Sequence, residues 1–129
     1  MYLANLSSPA TPDTAKAKWR NLNTFLALLA KNREAQKIPA LAGWGRLGIK
    51  ALVMALEQSP DTRLGQNAEL HAPAAAQWIH IANDEIEKLC NDGTEKFTAG
   101  DLWAGRGGSE VCDSARLQFW RSRMRELGY

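Results

Sequence analysis

Cysteine and histidine are scarce in this chain of 129 residues, which contains two of each. Cys90 and Cys112 cannot form a disulfide framework, and no Cys-x-x-Cys pair suggests redox or zinc chemistry. A zinc site needs three or four convergent ligands, and His71 and His80 with scattered cysteines have no such spacing. The sequence therefore predicts neither a metal site nor a cofactor.

A long hydrophobic run and a strong excess of one charge are also missing. No stretch reaches the roughly 18 uninterrupted apolar residues that a membrane-spanning helix needs. The net charge of +2 is too small by itself to indicate nucleic acid or an acidic membrane. Residues 1–11 have neither the basic leader nor the apolar core of a signal peptide. We therefore expect an intracellular protein, of the cytoplasm or the nucleus, without a membrane partner.

Tryptophan, by contrast, is abundant, with residues at positions 19, 44, 78, 103 and 120. Four of them lie on apolar stripes with helical spacing and are predicted to form a tryptophan-rich core. Trp103 is the exception, because it lies in the glycine-bearing segment 93–113. It either pins this segment to the helices or lines a ligand pocket.

Helical periodicity and the absence of period-two alternation predict an all-α fold, a compact bundle of about four main helices. We expect a flexible N-terminal lead-in at residues 1–12 and a single helical domain at residues 13–129. In the first helix, Trp19, Leu22, Leu26 and Leu29 share the face predicted to pack inward, and Phe25 widens it.

The second helix, from Pro39, is apolar on nearly every side, which predicts a buried central helix. Its charged residues Arg46, Lys50 and Glu57 share one narrow sector. If the other helices cannot cover residues 40–56, a partner must do so.

Residues 43–48, Gly-Trp-Gly-Arg-Leu-Gly, match the glycine pattern of a dinucleotide site, but no strand precedes them as that site requires. The alternative is a close helix–helix approach at Gly45 and Gly48, and we favour it. The third helix opens at Pro73 and stops at Gly93.

The last helix, capped by Asp113, carries four arginines: Arg116, Arg121, Arg123 and Arg125. They lie on different sides of the helical wheel, so we predict solvated arginines, some paired to Glu126 or Glu110, rather than a nucleic-acid surface. Cys90 is predicted to be a small buried hydrophobic residue. Cys112 precedes the helix N-terminus, where the dipole can lower a thiol pKa, and it is the one cysteine worth testing for reactivity.

Five sequence blocks, taken together, resemble a known family: residues 19–25, 51–57, 73–79, 102–105 and 116–123. In this order they resemble uncharacterised helical proteins of filamentous fungi, a domain of unknown function. The resemblance implies a helical fold and a fungal origin, and it implies no activity.

Two functions remain open from the sequence. The first is a helical interaction module that associates with itself or with another protein. The alternative is a small-molecule-binding protein or cofactor-independent enzyme, with Trp103, His71, Arg106 and Asp101 at the rim of a pocket near residues 93–113.

Overall fold

A computed structural model of the protein describes residues 12–32, 34, 37–39 and 43–129. These residues form the helices α1 (Pro12–Lys31), α2 (Gly45–Leu56), α3 (Ala68–Asp92), α4 (Asp101–Ala104) and α5 (Ser114–Glu126), with a short 3₁₀ turn at Gly65–Asn67. Apart from one isolated β-bridge between Lys96 and Val111, the described part of the chain has no β-structure. The predicted all-α bundle is confirmed. Except for Pro12, which begins α1, the predicted lead-in lies outside the described residues.

Helix α2 is the buried central helix that the sequence predicts. Eight of its twelve residues are buried, and it contacts α1, α3 and α5. Leu47 is the single large apolar side chain of α2 that is exposed. Residues 45–56 are thus largely covered by the other helices, so the condition under which a partner would have to cover them is not met there, while residues 40–42 lie outside the described part.

Glycines bring α2 against α3, as predicted. A Cβ atom at Gly48 would lie 2.4 Å from Trp78 Cε3 and 2.8 Å from Ile86 Cδ1, and one at Gly45 would lie 3.0 Å from Leu89 Cδ1. At Gly48 the lost helix propensity, up to about 1 kcal/mol, is therefore offset by close packing against Trp78 that a larger residue would disrupt, while the contact at Gly45 is less restrictive.

Helix α3 begins earlier than predicted, at Ala68, so that Pro73 lies inside its N-terminal part. The backbone at Ala82 is not helical (φ −115°, ψ 33°), which kinks α3 midway. The helix ends at Asp92, and Gly93 follows in the left-handed conformation with φ +65°, which confirms the predicted stop.

Helix α1 is rotated relative to the prediction. Its buried residues are Asn23, Ala27 and Ala30, while Leu22 and Phe25 are exposed. Apolar residues cover more than half of the circumference of α1, so periodicity alone does not decide which side faces inward. The side of α1 that carries Asn23, Ala27 and Ala30 faces inward, and α1 packs mainly against α3.

Burial of the tryptophans is uneven. Trp78 and Trp120 are fully buried, whereas Trp19 and Trp44 are only partly buried. The predicted core role is thus confirmed for two of these four. Among the described residues, no helix is both long enough and apolar enough to cross a membrane.

Candidate functional site

A carboxylate and a guanidinium meet in the interior of the bundle, at the end of α2. Glu57 and Arg116 are both completely buried. Arg116 donates from Nε to Glu57 Oε2 at 2.6 Å and from Nη2 to Glu57 Oε1 at 2.9 Å. Glu57 is buried, whereas Arg46 and Lys50, which the helical wheel places in the same sector, are exposed. The prediction of a solvated Arg116 is wrong.

Every remaining polar atom of this pair is also hydrogen-bonded. Glu57 accepts from the Gly100 backbone N–H at 2.9 Å and from Trp120 Nε1 at 2.6 Å. Arg116 Nη1 donates to the carbonyl oxygens of Phe97 and Glu110 at 3.0 and 2.8 Å. We refer to Glu57, Arg116 and Trp120 as the buried charge cluster. All three side chains are fully buried, and their hydrogen bonds are made within the chain.

The buried charge cluster fixes the segment 93–113 over the end of α2. The Leu102 N–H donates to the Glu57 carbonyl at 2.9 Å, and a Cβ at Gly100 would lie 2.4 Å from the same oxygen. Glycine at position 100 is therefore required by close backbone contact. The segment is held on both sides, by α2 and by α5.

Trp103 pins this segment to α5. Its ring lies 5.1 Å from the ring of Phe119, and its Nε1 donates to the Ser109 carbonyl at 2.9 Å. Gly108 packs directly under the indole, because a Cβ there would lie 2.2 Å from Trp103 Cε2. Of the two roles open from the sequence, the structure confirms pinning.

The four predicted rim residues do not make their contacts around one common pocket, because they pack on three different residues: Phe119, Ser59 and Trp19. Arg106 joins Trp103 on Phe119, with its guanidinium 5.1 Å from the ring centre. Asp101 accepts hydrogen bonds from the Ser59 hydroxyl and backbone N–H, and these bonds lower the pKa of its carboxyl group. His71 lies edge-on to Trp19 of α1, with ring centres 6.1 Å apart, and burial lowers its pKa. Ligand binding by these four residues stays a prediction.

A second unusual feature lies on α1, where three large apolar side chains are about half exposed. Leu22, Phe25 and Leu28 have 48%, 60% and 52% of their surface in solvent. Spaced three residues apart, they follow one row along the helix. We call these three residues the outer face of α1. A contiguous apolar row of this kind is typical of an interaction site.

A buried asparagine sets the rotation of α1. Asn23 Oδ1 accepts from Trp78 Nε1 at 2.8 Å, and Asn23 Nδ2 donates to the Trp19 carbonyl at 2.9 Å. Each residue advances about 100° around a helix, so Phe25 lies roughly 200° from Asn23. Burying Asn23 against Trp78 therefore directs Phe25 outward, which the apolar pattern of α1 did not indicate.

Residues 4–124 match the model of a family described as "Protein of unknown function (DUF3632)". No curated protein and no solved structure matches the chain. The resemblance drawn from the five sequence blocks is confirmed as far as a domain of unknown function. Since the family match covers nearly the whole chain, the protein belongs to the DUF3632 family of proteins of unknown function.

Proposed function

We propose that this protein is a helical interaction module that binds a second copy of itself through the outer face of α1. The observation that carries the proposal is the exposure of Leu22, Phe25 and Leu28 in one row. Removing apolar surface from water contributes about 25 cal/mol per Å², and this row exposes an area on the order of a few hundred Å². The driving force fits a reversible association better than a permanent one.

The row is self-complementary, which favours a second copy over an unrelated partner. A two-fold interface requires that the same patch fit itself. Leu22 and Leu28 each lie three residues from Phe25. When two α1 helices run antiparallel about an axis at Phe25, Leu22 of one copy lies opposite Leu28 of the other, and Phe25 meets Phe25.

Charges along α1 are compatible with this pairing. In the same antiparallel arrangement, Lys18 of one copy lies opposite Asn32 of the other, since both are seven residues from Phe25. No like charges meet along the row. A parallel arrangement would instead place Lys18 beside Lys18, which costs free energy.

Nucleic acid is not the proposed partner, and the contacts of the α5 arginines support this choice. Arg116 is part of the buried charge cluster, and Arg121 bonds Asn83 and Glu87. Arg123 bonds the Leu56 carbonyl and Glu126. An arginine engaged by its own chain is less free to neutralise a phosphate.

Three further statements belong to the proposal. An intracellular location is part of the proposal, and it is supported by the sequence, which has only two cysteines and so no disulfide framework. The fungal origin that the resemblance implies stays a prediction. The alternative function, a small-molecule site near residues 93–113, is kept for testing by native mass spectrometry of the purified protein.

Cross-linking between single-cysteine positions tests the proposed pairing. Leu22→Cys protein and Leu28→Cys protein, mixed and treated with a short bismaleimide, should give a cross-linked heterodimer at residues 22 and 28. Phe25→Cys protein should cross-link to itself. Peptide mapping separates these links from any that involve Cys90 or Cys112.

The matched control is Lys50→Cys, which places a cysteine at an exposed position of α2. It should give no more than the background yield of dimer. If Lys50→Cys cross-links as well as Phe25→Cys, or if the Leu22→Cys and Leu28→Cys mixture gives no heterodimer, the antiparallel pairing is wrong.

A further inference from the structure

The two cysteines of the chain, which are 22 residues apart in sequence, meet in the core. Cys90 lies near the end of α3 and Cys112 lies just before α5, with 2.9 Å between the Sγ atoms. Both side chains are buried, with 2% and 0% of their surface exposed, and both are free thiols. The sequence treats them as independent, one a buried hydrophobic residue and one worth testing, whereas the structure makes them a pair.

The two sulfur atoms are not equivalent. Either thiol can donate the hydrogen bond between them. When Cys90 donates, the bond lowers the pKa of the Cys112 thiol, and Arg116 lowers it further. Burial and the carboxylates of Asp113 and Glu95 raise that pKa. The same hydrogen bond and burial raise the pKa of Cys90. Cys112 also precedes the N-terminus of α5, whose dipole favours a thiolate. Cys112 is thus the better nucleophile and Cys90 holds the proton.

The segment that carries Cys112 is not helical, and individual hydrogen bonds hold it in place. Its backbone is tied to the preceding strand-like residues by Cys112 N–H to the Glu95 carbonyl, 2.8 Å, and by Phe97 N–H to the Glu110 carbonyl, 2.9 Å. Local opening that breaks a few such bonds requires less free energy than global unfolding. Because both thiols are buried, an oxidant needs such a local opening of the segment to reach Cys112.

We propose that Cys90 and Cys112 form a reversible thiol–disulfide redox site whose oxidising substrate is a hydroperoxide. The Cys112 thiolate attacks the terminal oxygen of the peroxide, the O–O bond breaks, and Cys112 becomes a sulfenic acid. The leaving hydroxide or alkoxide takes a proton. Cys90 then loses its proton and attacks the Cys112 sulfur, so that the S–S bond forms as water leaves.

With hydrogen peroxide as the substrate, two thiols and one peroxide molecule react to give one disulfide and two water molecules. Two electrons pass from the sulfurs to the peroxide oxygens. Two equivalents of a thiol reductant reverse the change through a mixed disulfide. The pair needs no third cysteine, and the chain contains none.

Intact mass spectrometry of the folded protein tests the proposal. After treatment with hydrogen peroxide near stoichiometric amounts, the chain is denatured in excess N-ethylmaleimide. We expect a mass lower by two hydrogens, no alkylation at either cysteine, and a linked pair of peptides containing Cys90 and Cys112. Dithiothreitol should restore alkylation at both.

Variants with one cysteine each compare the reactivity of Cys90 with that of Cys112. In folded Cys90→Ser protein, peroxide with dimedone should label Cys112, at least ~10-fold faster than it labels Cys90 in folded Cys112→Ser protein, as follows from their unequal thiolate character. Full alkylation of both cysteines after peroxide treatment of the wild-type chain would overturn the proposal. A sulfinic acid on Cys112 without the link, or a link between two chains, would overturn it too.

Discussion

The buried charge cluster and the outer face of α1 reverse the usual distribution of charge and apolar surface. Inside, Glu57 and Arg116 are fully buried, and each polar atom has a partner. Outside, Leu22, Phe25 and Leu28 remain about half exposed. The first region is complete within one chain and therefore supports the fold. The second leaves apolar side chains in solvent, and for that reason we place the proposed self-association there.

The largest expected effect comes from breaking the buried charge cluster. Glu57→Gln leaves the Arg116 charge buried without a counterion, which should lower the free energy of unfolding by about 3–5 kcal/mol. Urea denaturation measures this loss of unfolding free energy. The control is Glu126→Gln, which removes an exposed ion pair with Arg123 and should change stability by less than about 1 kcal/mol.

A double variant tests whether the loss of stability comes from leaving one charge buried alone. Glu57→Gln combined with Arg116→Met should be less destabilised than the sum of the two single variants, because no isolated charge remains. Equal losses for Glu57→Gln and Glu126→Gln would show that the cluster does not hold the fold together.

The substitution of leucine by alanine at two positions compares the core directly with the outer face of α1. Leu52→Ala removes a completely buried side chain of α2 and should cost about 2–5 kcal/mol. Leu28→Ala removes the same atoms from the outer face of α1 and should change the stability of the dilute protein by less than about 0.5 kcal/mol. Thermal or urea unfolding at low protein concentration gives both values. Similar losses at both positions would mean that Leu28 is part of the core.

The rotation of α1 is tested by its asparagines. Asn23→Ala leaves the buried Trp78 N–H without an acceptor, which should cost about 1–3 kcal/mol. Asn21→Ala, two residues earlier on the exposed side of α1, should be nearly neutral. Denaturation of both variants, followed by tryptophan fluorescence, makes the comparison. Equal stability would argue that Asn23 does not orient the helix.

Local features of the fold were predictable from sequence. The Asp113 cap, which accepts from the Arg116 backbone N–H at 2.9 Å, depends on residues three apart. The stop at Gly93 depends on the conformational freedom of glycine at one position. Both need only the residues nearby.

The candidate sites depend on contacts between residues far apart in sequence, and they could not be predicted in the same way. Glu57 pairs with Arg116 across 59 positions, and Asn23 meets Trp78 across 55. A helical wheel treats Glu57 as one more charged residue, since it does not show what α5 brings against it. One signal was present: Glu57 directly follows the apolar run 51–56, where a solvated charge is out of place.

Molar mass as a function of concentration, measured by light scattering coupled to size exclusion, tests the central claim most directly. The wild-type chain, of 14.2 kDa, should approach twice that mass as its concentration rises through the micromolar range and above. Phe25→Glu protein should stay at the mass of one chain, because two carboxylates would meet at the two-fold axis. Lys50→Glu, which introduces the same residue at an exposed position of α2, should behave like the wild type. A wild-type chain that is monomeric at every concentration would contradict the self-association proposed for the outer face of α1.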